Sequence, residues 1–296
     1  MELKIKDLLT TADIQQMKEL AHICGLTDNV DYSSDLHINF LANRKEDQLN
    51  DFLFYNNNQL IGTLNMYEFE RPTKLELIGF VHPHFRKQKV GTTLLQKAMR
   101  EIKKRNVDEA LLIINGNSLS GRAFAEQIKS PYLYSEYSMA YNKKETNNNF
   151  KKNNLKFILA SSETLPSLIE IASKAFGDSF INTSEWLQKM ISSPTHQVYI
   201  ALIDEKEIGT ITVSKQEHAT TLSGFAVHPS HQGQGYGKSI LTYMVHTLVT
   251  KGHKTIELEV ETKNNNALKL YEQCGFEITT KYDYYNLLEY EEAPYV

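Results

Sequence analysis

The chain has 296 residues, enough for about two domains, with 41% hydrophobic and 23% charged residues and a formal net charge of −4. That balance argues against a strongly basic nucleic-acid face while leaving room for a local patch, and two cysteines, Cys24 and Cys274, argue against a disulfide scaffold or a four-cysteine metal site. The start, "MELKIKDLLTTAD", has no apolar signal core and no segment is long enough to cross a bilayer, so the chain reads as cytoplasmic, with neither membrane nor nucleic acid as a partner and no metal.

In chain order, an amphipathic helix over Ile14, Met17, Leu20 and Ala21 comes first. "DFLFY" and "QLIGTLNM" then flank "NNN" as a hairpin. A third strand ends at Val81, and a helix follows with Leu94, Leu95, Ala98, Met99 and Ile102 on one stripe. The buried strand "ALLII" and another helix close the half. Residues 142–154, "NKKETNNNFKKNN", are polar and rich in Asn and Lys, the composition of a linker.

The pattern then restarts. A helix over Leu168, Ile169, Ala172 and Phe176 begins near Thr164 and Pro166. A second holds Trp186, Leu187, Met190 and Ile191 and stops before Pro194. "VYIALI" and "EIGTITV" form a hairpin around "DEKE", and a third strand ends at Val227. A long helix carries Ile240, Leu241, Met244, Val245 and Leu248; the strand "TIELEV", a helix and a Tyr-rich strand finish the chain.

The restart is a repeat. "FVHP" at 80–83 returns as "AVHP" at 226–229, an offset of 146, and the two long helices carry matching stripes at that same offset. "LIGTLNM" at 60–66 matches "EIGTITV" at 207–213 at an offset of 147. In each half hairpin strands precede a strand–helix–strand crossover. The fold class is therefore α/β (α+β), with two tandem domains over 1–141 and 155–296, each a mixed, mostly antiparallel sheet flanked by helices.

One stretch stands out chemically. Residues 228–239, "HPSHQGQGYGKS", join a strand directly to a helix through Gly233, Gly235 and Gly237. Glycine admits positive φ and lets a ligand touch the main chain, and a helix start offers unpaired N–H groups and a positive dipole end. Together they make an anion site suited to phosphate. A P-loop fits poorly, because Gln232 stands where its first glycine belongs; a Rossmann turn fits poorly, because its third glycine is misplaced.

Gln232-x-x-Gly235-x-Gly237 after "V-H-P" resembles the acetyl-CoA signature of the GNAT acetyltransferase superfamily. "NNNALKLYEQCGF" at 264–276 resembles that family's second stretch, N-x-x-A-x-x-x-Y-x-x-x-G-F, at the right distance. The tandem layout resembles its two-domain members, of which mycothiol synthase is one. The resemblance implies that Gln232, Gly233, Gln234, Gly235, Tyr236, Gly237 and Lys238 bind the CoA pyrophosphate, mainly through main-chain N–H groups. It implies that Phe225, Ala226 and Val227 pair with the pantetheine arm, and that the Val227 N–H polarises the thioester carbonyl. Asn264 would contact the cofactor arm, with Ala267 beside it. Tyr271 would protonate the departing thiolate after direct attack by an amine.

Plainer readings stand beside these. Tyr271 lies among Ala267, Leu268 and Phe276, as a packing residue would; Cys274 reads as a small core residue, and His228 and His231 as loop residues. The strand "TTLSGFAV" carries no acid where many family members have one; Thr221 or Ser223 stands there. Glu257, Glu259 and Glu261 share one strand face, either as a solvated or substrate-facing acidic surface or with Glu259 or Glu261 attracting or deprotonating the amine. A water chain is the third route.

In the first half "RKQKVGTT" (86–93) aligns with the glycine loop and puts Lys87 and Lys89 in place of two glycines. "SGRAFAEQ" (120–127) puts Ser120 in place of Asn264 and Gln127 in place of Tyr271. This half is expected to fold alike but not to catalyse; Arg86, Lys87 and Lys89 either hold an anion or form an exposed basic turn. The expected activity is acetyl-CoA-dependent N-acetylation of a small-molecule amine or a protein N-terminus by a monomer with pseudo-dimeric domains. A non-catalytic acyl-CoA-binding or sensory protein is the alternative, and an Mg-dependent hydrolase using Gly237-Lys238-Ser239 is a third.

Overall fold

A computed structural model describes residues 1–44, 48–69, 73–142, 154–215 and 219–289. Most of the expected linker, 143–153, lies outside the described residues. The first repeat contains β1 (Glu2–Lys6), α1 (Thr11–Asp28), α2 (Ile38–Ala42), β2 (Asp51–Asn56), β3 (Gln59–Tyr67), β4 (Lys74–Val81), α3 (Val90–Ile102), β5 (Glu109–Asn115), α4 (Leu119–Gln127) and β6 (Tyr132–Tyr141). The second contains β7 (Leu155–Leu159), α5 (Leu165–Phe176), α6 (Phe180–Ser192), β8 (His196–Ile203), β9 (Lys206–Lys215), β10 (Thr220–Val227), α7 (Tyr236–Thr250), β11 (Ile256–Glu261), α8 (Asn265–Gln273) and β12 (Phe276–Asn286). A one-turn 3-10 helix precedes α3 and α7 alike, at Pro83–Phe85 and Pro229–His231.

Local chemistry explains several boundaries. Thr10 and Asp13 form a reciprocal capping box that starts α1. The two expected hairpins close on Asn57–Asn58 and Asp204–Glu205, and all four residues have positive φ, as a tight type I′ turn requires. Gly177, at φ 77, ends α5 directly after Phe176, which is why that residue is exposed instead of joining the buried stripe of Leu168, Ile169 and Ala172. Each repeat opens with an edge strand, β1 or β7, ahead of the helix with which the sequence reading starts.

Two compact units emerge: Met1–Ser135 with Lys281–Val296, and Glu136–Thr280. A cut through residues 142–154 would separate β6 and β12 from strands with which they pair. The second half of β12 (Tyr282–Asn286) pairs antiparallel with β5, inside the N-terminal unit. The second half of β6 (Glu136–Ala140) pairs antiparallel with β11, inside the C-terminal unit. Each unit's sheet is thus completed by a strand from the other repeat.

The N-terminal sheet runs β1-β2-β3-β4-β5-β12 and the C-terminal one β7-β8-β9-β10-β11-β6, and each has one parallel step, β4–β5 or β10–β11. Helices cover both faces. In the C-terminal unit Ile240, Leu241, Met244, Val245 and Leu248 of α7 pack with Ile211, Val213, Leu222, Ile256, Leu258 and Val260. On the other face α5 and α6 pack Leu168, Ala172, Leu187 and Met190 against Val198, Ile200 and Leu202 of β8. The N-terminal unit repeats this with α3 and α1.

Leu287 is fully buried in the N-terminal core, although it lies near the far end of the chain. Leu287→Ala is expected to destabilise the protein by about 3 kcal/mol. Amide exchange should rise in β5 rather than β11. Measured exchange confined to β11 would place the C-terminal segment in the other core.

Candidate acetyl-donor site

The site is built on a gap between two strands. β10 and β11 pair in parallel only over Thr220–Leu222 and Ile256–Leu258, yet β10 runs on to Val227 and β11 to Glu261. Against β9 the register of β10 breaks: Ser223 faces Thr212, Ala226 faces Thr210, and two residues, Gly224 and Phe225, stand against the single Ile211 between them. Gly224 has φ 54, and a Cβ there would lie 2.4 Å from Cη2 of Trp186 on α6, so the bulge needs glycine for both conformation and space. Phe225, Ala226 and Val227 follow on the parted stretch. Their main-chain groups on the β11 side have left the ladder, and buried main-chain groups need partners.

The loop after β10 is held by its own side chains. The Gln232 amide donates to Val227 O at 2.9 Å and the Gln234 amide to Ser230 O at 3.1 Å. His228 accepts from the Ser230 N–H, and its own N–H donates to Ile208 O, so its role here is to shape the turn. Gly233 and Gly235 have φ 74 and 83, and a Cβ on either would meet nothing within 4 Å. Gly235 caps α7 without a side chain, and Ser239 makes an intrahelical bond to Gly235 O at 3.1 Å. The amides of Tyr236, Gly237 and Lys238 thus stand at an uncapped positive helix end beside open space. A diphosphate fits that cradle. Gly237 lies where α7 meets α8: its Cβ would sit 3.3 Å from Leu270.

α8 closes the far side of the gap. Asn264 is its N-cap and accepts from the Ala267 N–H at 3.1 Å, which leaves its side-chain NH2 available. Tyr271 is 8% exposed, with its ring centroid 6.3 Å from Phe225 and 6.2 Å from Phe276. Burial, with the neighbouring Cys274, pushes its phenol up to about 12. It is therefore a neutral O–H at pH 7. Cys274 itself is buried, and that burial raises its thiol, as befits a core residue.

On β11, Ile256, Leu258 and Val260 join the core under α7, so Glu257, Glu259 and Glu261 point to the α5–α6 face. Glu257 is half-buried, and burial raises its carboxyl. Glu259 and Glu261 are exposed, and Glu259 is the first residue beyond the last parallel pair. Tyr271 and Glu259 thus flank the gap from opposite faces. Thr221 and Ser223 sit on β10 opposite Ser214 and Thr212. Among the described residues no group of His, Cys, Asp and Glu is arranged to hold a metal ion, and no helix is long and apolar enough to cross a membrane.

The N-terminal unit has the same scaffold with different contents. Lys87 and Lys89 adopt φ 60 and 63, so the turn keeps its left-handed positions although the glycines are gone, at about 1 kcal/mol of backbone strain each. Arg86 Nε donates to Val81 O at 3.1 Å, as Gln232 does to Val227 O, and its guanidinium grips Asp28 of α1 at 2.7 and 2.8 Å. The Cys24 thiol donates to the same Val81 carbonyl. The β3–β4 register runs unbroken from Gly62–Val81 to Tyr67–Glu76, so this strand pair has no bulge. Ser118, not Ser120, caps α4 and so occupies the place of Asn264. Buried Ala125, not Gln127, then corresponds to Tyr271, because α4 and α8 run at the offset of 146 seen elsewhere.

A family model described as "Acetyltransferase (GNAT) family" matches residues 14–128 and again 165–276. The chain belongs to the GNAT acetyltransferase family. Over 66 residues, 22% of this chain and 46% of the relative, it is 44% identical to a ribosomal protein bS18-alanine N-acetyltransferase from Haemophilus ducreyi. It therefore spans about half the length of the curated relatives it matches. A GCN5-related N-acetyltransferase from Sphaerobacter thermophilus superposes with TM-score 0.77 at 17% identity, covering 96% of this chain and 95% of that one. A tandem GNAT protein from the clavulanic acid biosynthesis pathway gives TM-score 0.70 at 12% identity, over 96% and 98%. At such identities these structures speak for the fold alone.

Sequence reading misses Gly224, Trp186 and the threonines of β9 in this GNAT site, and the Asp28–Arg86 pair in the other unit. Only Gly224 leaves a trace, as a glycine inside a strand whose first-repeat counterpart is Ile78. Arg86→Ala leaves the mostly buried Asp28 carboxylate without its bidentate partner and is expected to cost about 2 kcal/mol. Chemical denaturation measures this, and a loss below about 0.5 kcal/mol would make the pair a surface contact.

Proposed function

We propose that the C-terminal unit transfers an acetyl group from acetyl-CoA to a primary amine and that the N-terminal unit does not catalyse. The observation that carries this reading is the uncapped start of α7, where the Cβ positions of Gly233 and Gly235 point into open space. The N-terminal unit spends the matching positions on lysine side chains and an arginine–aspartate clamp.

In this reading Gly233 through Lys238 bind the pyrophosphate, and Asn264 and Ala267 border the arm of the donor. Phe225, Ala226 and Val227 receive that arm along the parted edge of β10. The Val227 N–H donates to the carbonyl oxygen, where negative charge develops during attack. Tyr271 gives its proton to the leaving thiolate, and a buried phenol held up to about 12 is in the right state to do so. Glu259, on the opposite face of the gap, takes the proton of the attacking ammonium. The acidic row of Glu257, Glu259 and Glu261 favours a cationic acceptor. A peptide with a free N-terminal alanine is the first acceptor to try, given the names of the relatives, with spermidine and glucosamine beside it.

Calorimetric titration of acetyl-CoA into the wild-type protein is expected to give one site, which Gly235→Lys weakens at least about tenfold. Lys89 shows that a lysine can adopt this backbone conformation, so the variant should still fold. Two sites, or one that survives the substitution, would place donor binding in the N-terminal unit. Binding without thiol release across the amines would leave a non-catalytic acyl-CoA-binding protein.

Tyr271→Phe is expected to keep donor affinity and lower kcat about a hundredfold. Since the phenol stays protonated up to about 12, it contributes no alkaline limb near neutral pH. Unchanged turnover would remove Tyr271 from the mechanism. Glu259→Gln is expected to lower kcat/KM at least about tenfold with donor affinity kept, and unchanged turnover would remove Glu259 as the base.

A further inference from the structure

The α5–α6 face of β9 carries two hydroxyls that nothing among the described residues satisfies. Thr210 and Thr212 alternate with Ile211 and Val213, which join the core under α7. Both threonines are 0% exposed, and neither Oγ1 has a hydrogen-bond partner among the described residues. Such groups are rare in native interiors. The N-terminal unit bonds the side chains at the same strand positions: Thr63 Oγ1 donates to Asn65 Oδ1 at 2.8 Å, and Asn65 Nδ2 to Asp51 Oδ1 at 2.7 Å.

The place of these hydroxyls matters more than their number. Thr212 faces Ser223 and Thr210 faces Ala226, the two residues that bracket the bulge. Gly224 and Phe225 between them stand against Ile211 alone, one β10 residue too many for the ladder. Thr212 Oγ1 lies 3.2 Å from the point a Cβ on Gly224 would occupy. Two orphan hydroxyls thus frame a bulged stretch of main chain that has lost its ladder partners on the β11 side. A buried water characteristically makes two to four hydrogen bonds to such groups. Ser223 stands beside Thr212 in a row across the sheet, and Glu259, next after the Leu222–Leu258 pair, continues the row on the same face.

We propose that Thr210 and Thr212 are positioning residues that seat a water molecule behind the Gly224 bulge, and that this water carries the acceptor's proton towards Glu259. The inference rests on the acetyltransferase reading above. As the amine nitrogen bonds to the acetyl carbon, one N–H proton passes to the water and a water proton passes on to the Glu259 carboxylate. The C–S bond breaks, and the thiolate takes its proton from Tyr271. The threonine hydroxyls bond neither substrate; they fix where the water sits.

Thr212→Val and Thr210→Val remove the hydroxyls and keep the side-chain shape, and Thr212→Ser restores one. Three readouts apply: a high-resolution crystal structure of the free protein, its thermal midpoint, and steady-state kinetics in H2O and D2O with whichever of the alanine peptide, spermidine or glucosamine the wild type acetylates. The expected results are a water within hydrogen-bond distance of both hydroxyls and a lower midpoint for Thr212→Val. In addition kcat should fall at least about tenfold, with the acceptor KM little changed, the solvent isotope effect altered, and Thr212→Ser close to wild type.

A midpoint at or above wild type with no water at the site would overturn the seat, because removing an orphan hydroxyl then costs nothing. A water with unchanged kcat and isotope effect would overturn its role in proton transfer. A wild-type protein that releases no thiol with any of the amines would overturn the acetyltransferase reading and the transfer step together. The crystal and melting results would still decide the seat by themselves.

Discussion

A parallel strand pair that stops bonding after three residues leaves main-chain donors and acceptors facing a gap. Water, side chains or a ligand must satisfy them. In this protein the end of the β10–β11 ladder at Leu222 and Leu258 is that constraint, and the other parts of the site follow from it. In the proposed reading an extended acyl-carrying arm lies in that gap. The Gly224 bulge tilts the end of β10, and the loop that follows delivers the uncapped start of α7 to the same mouth. α8 then lays Tyr271 along one side of the opening, and β11 sets its glutamates on the other.

The two repeats show how one scaffold is opened or filled by side chains alone. The last strand residue before the loop has a carbonyl that must be bonded in both, and Gln232 or Arg86 bonds it. Glutamine stops there. Arginine has a second edge to its guanidinium and uses it to hold Asp28, which turns a loop tether into a brace from α1. The lysines at φ 60 and 63 add strain without altering the path of the turn. A glycine-for-lysine exchange here changes what the loop can admit far more than how it runs.

Much of this is legible in the sequence because it rests on local periodicity. The stripes of α3 and α7, the hairpins around Asn57–Asn58 and Asp204–Glu205, and the offset of 146 all follow from short-range patterns. The glycine loop and the Asn264–Phe276 stretch are legible for the same reason. What fails to show is non-local or conformational. Nothing within "YLYSEYSMAY" says that its second half pairs with a strand more than a hundred residues on. β1 and β7 are five-residue edge strands, too short to register against the strong helical pattern behind them. Two serines, Ser118 and Ser120, could cap α4, and only the backbone decides between them. Lysine so seldom takes positive φ that a lost glycine reads as a lost turn, and here it is not. Threonines in an alternating strand reveal nothing of whether their hydroxyls find partners.

The exchanged strands bear on how the protein is made. A ribosome delivers the chain from its N-terminus, and a domain whose residues are contiguous can finish folding while the rest is still being synthesised. The N-terminal unit cannot. The neighbour of β5 is Tyr282–Asn286, and Leu287 fills its core, so its sheet waits until those residues have been made. Until then β5 presents an unpaired edge, the kind of surface that invites mispairing with another nascent copy. The C-terminal unit has no such delay, because β6 is already available when β11 appears. The half bearing the proposed chemistry is thus free to fold first, and the half without it is completed last.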